Sequence, residues 1–303
     1  MKLNIKDETS RLRAVILGTA VSVGPEPALE DTYDPKSAEF IKKGAYPVEE
    51  DMVKEMEAVA AVLEKHNVRV YRPEIIEDYN QIFSRDIGFV IEDKFIKSNI
   101  LQDREKEFQA IRYVIQELDE DKFIRLPEDF HIEGGDVMPH HDYIFIGTYR
   151  GEDYPDYITA RTNMKAVHAM QELFPDKKVK SFNLRKHNTN PRENALHLDC
   201  CFQPVGKGKA IIHRNGFLEE EEYQWLVDFF GKENVFEIDK QEMYDMTSNI
   251  FSISEDVVIS DKHFKRLNSW LRNQGITVEE VSYREIAKQE GLLRCSTLPL
   301  IRD

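Results

Sequence analysis

Residues 164–184 read MKAVHAMQELFPDKKVKSFNL, and the way this stretch divides decides the fold. Val167, Met170, Leu173 and Phe174 recur at the spacing of one helix face, Pro175 and Asp176 break the pattern, and the segment from Val179 reads as a short strand. Residues 55–73 (EMEAVAAVLEKHNVRVYRP), 107–127 (EFQAIRYVIQELDEDKFIRLP), 221–239 (EEYQWLVDFFGKENVFEID) and 264–282 (FKRLNSWLRNQGITVEEVS) follow the same helix-then-strand order. The five strands begin near Val68, Phe123, Val179, Val235 and Ile276, at successive offsets of 55, 56, 56 and 41 residues. Such a period marks a repeat architecture.

Between each strand and the next helix there is room for more strands. DIGFVIEDKFIKS (86–98), VMPHHDYIFIGTY (137–149), CFQPVGKGKAIIHR (201–214) and IFSISEDVVIS (250–260) each have the pattern of a hairpin. One unit is then helix, strand and hairpin. The sequence predicts an α/β protein of five such units forming a single domain over residues 1–303, strands inside and helices outside, with no Pro/Gly/Ser-rich linker to divide it. An open doubly wound sheet is the competing architecture, but a hairpin in every unit argues against an all-parallel sheet.

Composition narrows the function. The 303 residues, 41% of them hydrophobic, supply a sizeable core, and no apolar run approaches the roughly 18 residues of a membrane span. The N-terminal stretch lacks the apolar region of a secretory signal, so the expected location is cytoplasmic. A formal charge of -15 repels nucleic-acid backbones and anionic lipid surfaces while attracting a small cation. Cys200, Cys201 and Cys295 make neither a disulfide framework nor a C-x-x-C metal motif, so any important cysteine is a reduced thiol. His140 and His141 fall in a hairpin turn without a ligand set, and neither metal nor cofactor is expected. The sequence leaves open whether the chain forms a homo-oligomer.

Chemistry-bearing residues follow the strand of each unit. FSRD (83–86), HIEGGD (131–136), HLDC (197–200), TSN (247–249) and LLRC (292–295) occur in turn, and Asp86, Glu133, His197 and Cys295 lie 18, 10, 18 and 19 residues beyond their strand starts. If rotation relates the units, equivalent places converge on the axis, and a thiol, an imidazole and carboxylates share one pocket. Each residue alone has a plainer reading. Cys295, at the end of a strand, could be a small buried hydrophobe, Asp86 half of a surface ion pair, and His197 a core histidine. The glycines of EGGD could supply positive φ in a turn that exposes Glu133 and Asp136.

The ordered series RD (85–86), EGGD (133–136), RTN (161–163), HLD (197–199), SNIFSISEDVVIS (248–260) and RCSTLPL (294–300) resembles the guanidino-group-modifying enzymes: arginine deiminase, dimethylarginine dimethylaminohydrolase, agmatine deiminase and glycine amidinotransferase. The resemblance covers most of the chain. It implies a five-bladed β/α propeller of pseudo-fivefold symmetry, the pentein fold, and a cofactor-free enzyme with a small cationic guanidino substrate. It implies Cys295 as nucleophile, His197 as general acid and base, and Glu133 as the carboxylate that orients the histidine. Asp86 and Asp199 would hold guanidinium nitrogens, while Arg104 and Arg161 stand near positions that serve a substrate carboxylate. For both arginines a surface charge is the plainer alternative.

The residue types suit the chemistry. A guanidinium stays protonated in proteins, so its carbon is a poor electrophile until carboxylates grip its N–H groups and fix its plane. A thiolate is nucleophilic near neutral pH, and a histidine can protonate the leaving amine and then deprotonate water. His197 and Asp199, two apart on an expected strand, would share a face. An aspartate at 199 would favour an unsubstituted guanidino end, because a dimethylated nitrogen offers it no N–H. Water as acceptor makes a hydrolase, and an amine makes an amidinotransferase. Hydrolysis of a ureido substrate such as citrulline, and a non-catalytic binding scaffold, are the further alternatives. The chain lacks the glycine run that usually precedes RC in arginine deiminases, having KQEGLLRC (288–295) instead, and its length is nearer to dimethylarginine dimethylaminohydrolases.

Overall fold

Each helix of the repeat returns the chain to the hairpin it has just left. In the computed structural model, which describes residues 1–303, β1 (Leu12–Leu17) is followed by α1 (Pro35–Lys42), α2 (Glu49–Lys65) and β2 (Arg69–Tyr71). The hairpin β3 (Gly88–Ile91) and β4 (Lys94–Lys97) leads through a 3-10 stretch, Gln102–Ile111, and α3 (Arg112–Ile115) to β5 (Phe123–Arg125). Then come β6 (Val137–His140), β7 (Tyr143–Thr148), α4 (Met164–Leu173) and β8 (Lys178–Asn183), followed by β9 (Phe202–Val205), β10 (Lys209–Ile212), α5 (Glu220–Phe230) and β11 (Val235–Glu237). The last stretch is α6 (Lys240–Tyr244), β12 (Phe251–Ser254), β13 (Val257–Asp261), α7 (Lys265–Asn273), β14 (Thr277–Val281) and β15 (Thr297–Arg302).

These strands form five three-stranded sheets, ordered β15-β1-β2, β3-β4-β5, β6-β7-β8, β9-β10-β11 and β12-β13-β14. Every sheet joins an antiparallel pair to one parallel strand, as where Phe95 meets Phe123 and Ile144 meets Val179. The helix, strand and hairpin segments are all present, but the unit has a different phase from the one the sequence suggests. A parallel strand needs a crossover of a dozen or more residues, so each post-helix strand pairs with the hairpin before its helix and not with the one after it. One sheet is consequently assembled from both chain ends, with Leu17 of β1 opposite Thr297 of β15.

Side-chain periodicity explains how the helices seat. Met52, Met56, Val59 and Leu63 of α2 form one buried stripe, and Leu267 and Leu271 of α7 belong to the same core as Leu226 and Phe230 of α5. Removing the Leu63 side chain to Ala is expected to cost about 2–5 kcal/mol. Asp34 caps α1 by accepting a hydrogen bond from the Ser37 amide at 2.7 Å, and Asn163 caps α4 from the Ala166 amide at 3.1 Å. The second helix of the repeat, expected in the first part of 107–127, is largely 3-10. A 3-10 turn eclipses residues i and i+3, which brings Arg104 over Glu107 in a two-pronged ion pair.

The phase of the unit fixes where chemistry can collect. The five loops that pass from one sheet to the next carry Asp86 (β2 to β3), Glu133 (β5 to β6), His197 (β8 to β9), Asn249 (β11 to β12) and Cys295 (β14 to β15). Cys295 therefore sits in the turn before β15, not at a strand end as the sequence suggests. No helix of the chain is long and apolar enough to cross a membrane.

Candidate active site

A cavity of about 350 Å³ opens among these loops, and Asp86, His197, Cys295, Arg104 and Arg161 all contribute to its wall. The segment between β1 and α2 covers it with Tyr33, Asp34 and Tyr46. Glu133 lies behind the histidine. Its Oε2 is 2.7 Å from His197 Nε2 and 3.2 Å from Arg161 Nη1, and both the imidazole and the carboxylate are buried. Burial opposes the charge on Glu133, but Arg161 and the hydrogen bond from His197 prevail and hold its pKa down at about 2. His197 is shifted the other way: against burial, Asp86 and the Glu133 hydrogen bond raise it to about 9, so the imidazole is cationic at neutral pH.

The EGGD turn exists for close approach. Neither Gly134 nor Gly135 has positive φ, and Glu133 and Asp136 are buried, contrary to the exposed-turn reading. A side chain at Gly135 would place its Cβ 2.6 Å from His197 Cγ and Nδ1, and one at Gly134 would meet the Arg85 carbonyl oxygen at 2.0 Å. Asp136 accepts hydrogen bonds from Thr162 Oγ1 at 2.7 Å and from the Leu198 amide at 2.9 Å, tying this turn to the RTN and HLD segments.

Asp86 is not paired with its neighbour Arg85. Its Oδ2 accepts from Arg104 Nη1 at 2.8 Å, whereas Oδ1 is buried, 3.7 Å from His197 Nδ1, and has no hydrogen-bond partner. A buried orphan carboxylate oxygen on a cavity wall is a position for a ligand donor. Neither arginine is a surface charge. Arg104 is held by Asp86, Glu107 and the Phe83 carbonyl, and Arg161 by Glu133 and the carbonyls of Ile158 and Tyr33.

Asp199 departs from expectation. Residues 198–200 form a 3-10 turn closed by the Cys200 amide donating to the His197 carbonyl at 3.1 Å, so His197 and Asp199 do not share a strand face. Asp199 is fully buried and absent from the cavity wall. It accepts from Arg294 Nη1 at 2.8 Å and lies 3.7 Å from Cys295 Sγ, on the side of the thiol away from the cavity. Asp199 is thus not among the residues that line the cavity, where contact with a guanidino nitrogen was expected of it. Arg294 also donates to Glu8, Gly135 and Val137. Against burial, Arg294 and Arg85 hold the Glu8 pKa at about 2.

Sequence reading missed Asn249, Arg294 and Glu8. Asn249 Nδ2 donates to Cys295 Sγ at 3.2 Å, while its Oδ1 accepts from the Arg294 and Cys295 amides at 2.9 and 3.2 Å, which fixes the thiol loop. The signal was available in the TSN segment, which occupies in the fourth unit the place that HLDC holds in the third. Burial raises the Cys295 thiol well above its usual range, and Asp199 and Asp86 raise it further. Asp86, Glu133 and His197 bring one ligand atom each within 4.8 Å, a spacing that suits a metal ion, yet Arg104 and Arg161 already supply counter-charge to both carboxylates.

A thiol, an imidazolium and an unpartnered carboxylate oxygen meeting in a cavity between five small sheets define a guanidino-group-modifying protein of the pentein superfamily. Over residues 30–302 the chain matches the family described as N,N dimethylarginine dimethylhydrolase, eukaryotic, and it belongs to that family. It is 28% identical over 243 residues to YkgA of Bacillus subtilis (strain 168), described only as uncharacterized, covering 79% of this chain and 77% of YkgA. It is 23% identical to an arginine deiminase of Listeria monocytogenes serotype 4b (strain CLIP80459), across 74% of this chain and 62% of that enzyme.

Solved structures share the α/β fold at low identity. SxtG, an amidinotransferase from Microseira wollei, superposes with a TM-score of 0.76 at 18% identity over 99% of this chain and 97% of its own. DDAH from Pseudomonas aeruginosa, complexed with citrulline, gives 0.71 at 18% identity over 96% and 100%. The N-terminal domain of ArgZ, a cyanobacterial arginine dihydrolase, gives 0.76 at 17% identity over 94% and 96%.

Proposed function

We propose that the chain is a cysteine-dependent hydrolase of a guanidino C–N bond, built as one domain over residues 1–303 in a five-bladed β/α propeller. The observation that carries this reading is the shared cavity wall of Cys295, His197 and Asp86, with Asp86 Oδ1 buried and unpartnered. A planar guanidinium lodged there donates an N–H to Asp86 and presents its carbon to the thiol. Its positive charge offsets the carboxylates that keep Cys295 protonated, so substrate binding and thiolate formation are coupled.

The thiolate of Cys295 attacks the guanidino carbon. The C–N bond to the leaving amine breaks as His197 donates it a proton, leaving an amidino-thioether. Glu133, held by Arg161, keeps the imidazole oriented and charged for that donation. Water then adds to the same carbon, giving a proton to His197. The C–S bond breaks and releases a ureido product with the thiolate restored. Ammonia or a methylated amine is the first product, according to the substrate. Arg104 and Arg161 line the cavity and suit the carboxylate of an amino-acid substrate. Asp199, behind the sulfur, acts through Arg294 on the shape of the thiol loop.

An assay for ammonia, methylamine and ureido product with arginine, methylated arginines, agmatine and citrulline, with Cys295→Ala as control, tests the proposal. Release that disappears in the variant supports it, and release unaffected by the variant overturns it. The fold shared with SxtG favours one second reading, transfer of the amidino group to an amine, which the same assay detects when an acceptor amine is added.

A further inference from the structure

The loop that carries Cys295 is tied at its far end by Asn249, and at its near end by a residue from a distant part of the chain. Where β14 ends, the Tyr283 amide donates to Asp261 Oδ2 at 2.9 Å. The amides of Glu285 and Ile286 both go instead to Glu55, in the middle of α2. Glu55 Oε2 accepts from each at 3.0 Å, while Oε1 accepts from the Glu285 amide at 3.1 Å and from the Ser282 hydroxyl at 3.5 Å. These amides open the 3-10 turn Ile286–Gln289, which has no side-chain cap of its own. The first amides of a helical turn lack partners within it, and Glu55 supplies the acceptor from 230 residues away.

Glu55 is buried, and its hydrogen-bond partners are amides and a hydroxyl, with no arginine or lysine among them. Burial pushes its pKa up, and the amide hydrogen bonds only partly offset this. A buried carboxylate of this kind costs stability that an apolar side chain at the same helix position would not. The same face of α2 holds the loop twice more: the Gln289 side-chain amide donates to Met52 Sδ at 3.0 Å, and the Tyr283 hydroxyl to Met56 Sδ at 3.3 Å. Beyond the turn the loop has no slack. Gln289 Oε1 accepts from Asn80 Nδ2 at 2.6 Å, and Glu290 is held at φ 56. A Cβ on Gly291 would lie 2.3 Å from Phe83 Cε1, and the amides of Arg294 and Cys295 close on Asn249. A shift at the start of the turn is therefore carried to the sulfur.

Resting on the guanidino reading of the site, we propose that Glu55 is a positioning residue that sets, from α2, how closely Cys295 Sγ approaches the guanidino carbon. Glu55 is not on the cavity wall, so it acts only through the loop. Ligand binding through Asp86, which lies on a different loop, should survive its loss, and the chemical step should not.

The test compares kcat and KM of four variants on a guanidino substrate that the wild-type protein turns over, at a temperature where each variant is folded by circular dichroism. Glu55→Ala should lower kcat about 10²-fold, the effect of a small misplacement of a reacting atom, with KM within about threefold. Glu55→Gln keeps an oxygen for the two amides and can turn its amino group to the Ser282 hydroxyl, and should stay within about threefold of wild-type kcat. Glu55→Asp keeps the charge but falls one methylene short, and should lose about tenfold. Leu63→Ala, about two turns further along the same helix, is the control for lost stability and should leave kcat within about twofold. A wild-type kcat in both Glu55→Ala and Glu55→Asp, with only the melting temperature lowered, overturns the positioning role. If the alanine variant does not fold, the order of the other two decides, and Glu55→Asp as active as Glu55→Gln overturns it. Each of these outcomes leaves the guanidino reading intact. Turnover of no guanidino compound by the wild-type protein removes that reading and the positioning role with it.

Discussion

Asp86 and Asp199 look alike in the sequence and occupy two different regions of the site. Each is buried, each is paired with an arginine at 2.8 Å, and each raises the pKa of Cys295. Asp86 keeps one oxygen unpartnered on the cavity wall, whereas Asp199 is locked behind the thiol by Arg294, which Glu8 also grips. A carboxylate near a nucleophile serves the ligand only if its surroundings leave an acceptor free. Where every acceptor is committed, it serves the scaffold.

The largest effect that bears on this comparison is at the sulfur itself. Cys295→Ala should lower turnover at least about 10³-fold if covalent chemistry is required, with the fold retained by circular dichroism. Asp86→Asn keeps an oxygen for Arg104 but removes the charge that meets the guanidinium and weakens a buried ion pair, so it should cost about 10²–10³-fold in kcat/KM together with about 1–3 kcal/mol of unfolding free energy. Asp199→Asn should share the stability cost without the kinetic one. We expect less than about tenfold loss in kcat/KM, but about 1–3 kcal/mol of unfolding free energy by denaturant titration, because a buried ion pair with Arg294 is weakened. Equal kinetic losses in the two variants would erase the distinction between the regions.

Protonation gives a finer test. His197, raised to about 9, is the proton donor only while charged, so kcat/KM should fall as pH rises through about 9. Glu133→Gln removes one of the groups that raise it and should move that limb to lower pH. The linkage to stability has the same sign. A histidine whose folded pKa exceeds its unfolded value contributes fully below the unfolded value of about 6.5, and the contribution is lost as pH rises through about 9. A limb that stays in place in Glu133→Gln would separate the histidine from its carboxylate. The smallest expected effect concerns the other thiols. Cys200 and Cys201 are buried, off the cavity wall and shifted upward by burial, so iodoacetamide should label Cys295 well ahead of both.

Much of this was legible in the sequence because helix and strand periods differ and recur. The strands predicted near Val68, Phe123, Val179, Val235 and Ile276 all form, as do the four hairpins. The phase of the unit was not legible, since linear order does not say whether a strand joins the hairpin before or after it. The common place of Asp86, His197 and Cys295 beyond their strands was visible as an offset, and the structure brings them to one wall. Asp199 was misplaced because HLDC imitates the alternation of a strand, while its backbone closes a 3-10 turn. Glu8, Arg294 and Glu290 carry no local signal. Their burial arises only when the N-terminal segment, the sheet-joining loops and the cavity cover meet, which no pattern within a few residues records.

The most direct measurement of the central claim is mass spectrometry of the Cys295 peptide after acid quench during turnover of a guanidino substrate. The account predicts an added amidino group on Cys295 that is absent from Cys200 and Cys201 and lost when the reaction runs to completion. Turnover of the same substrate with Cys295 unmodified at every quench time would contradict it.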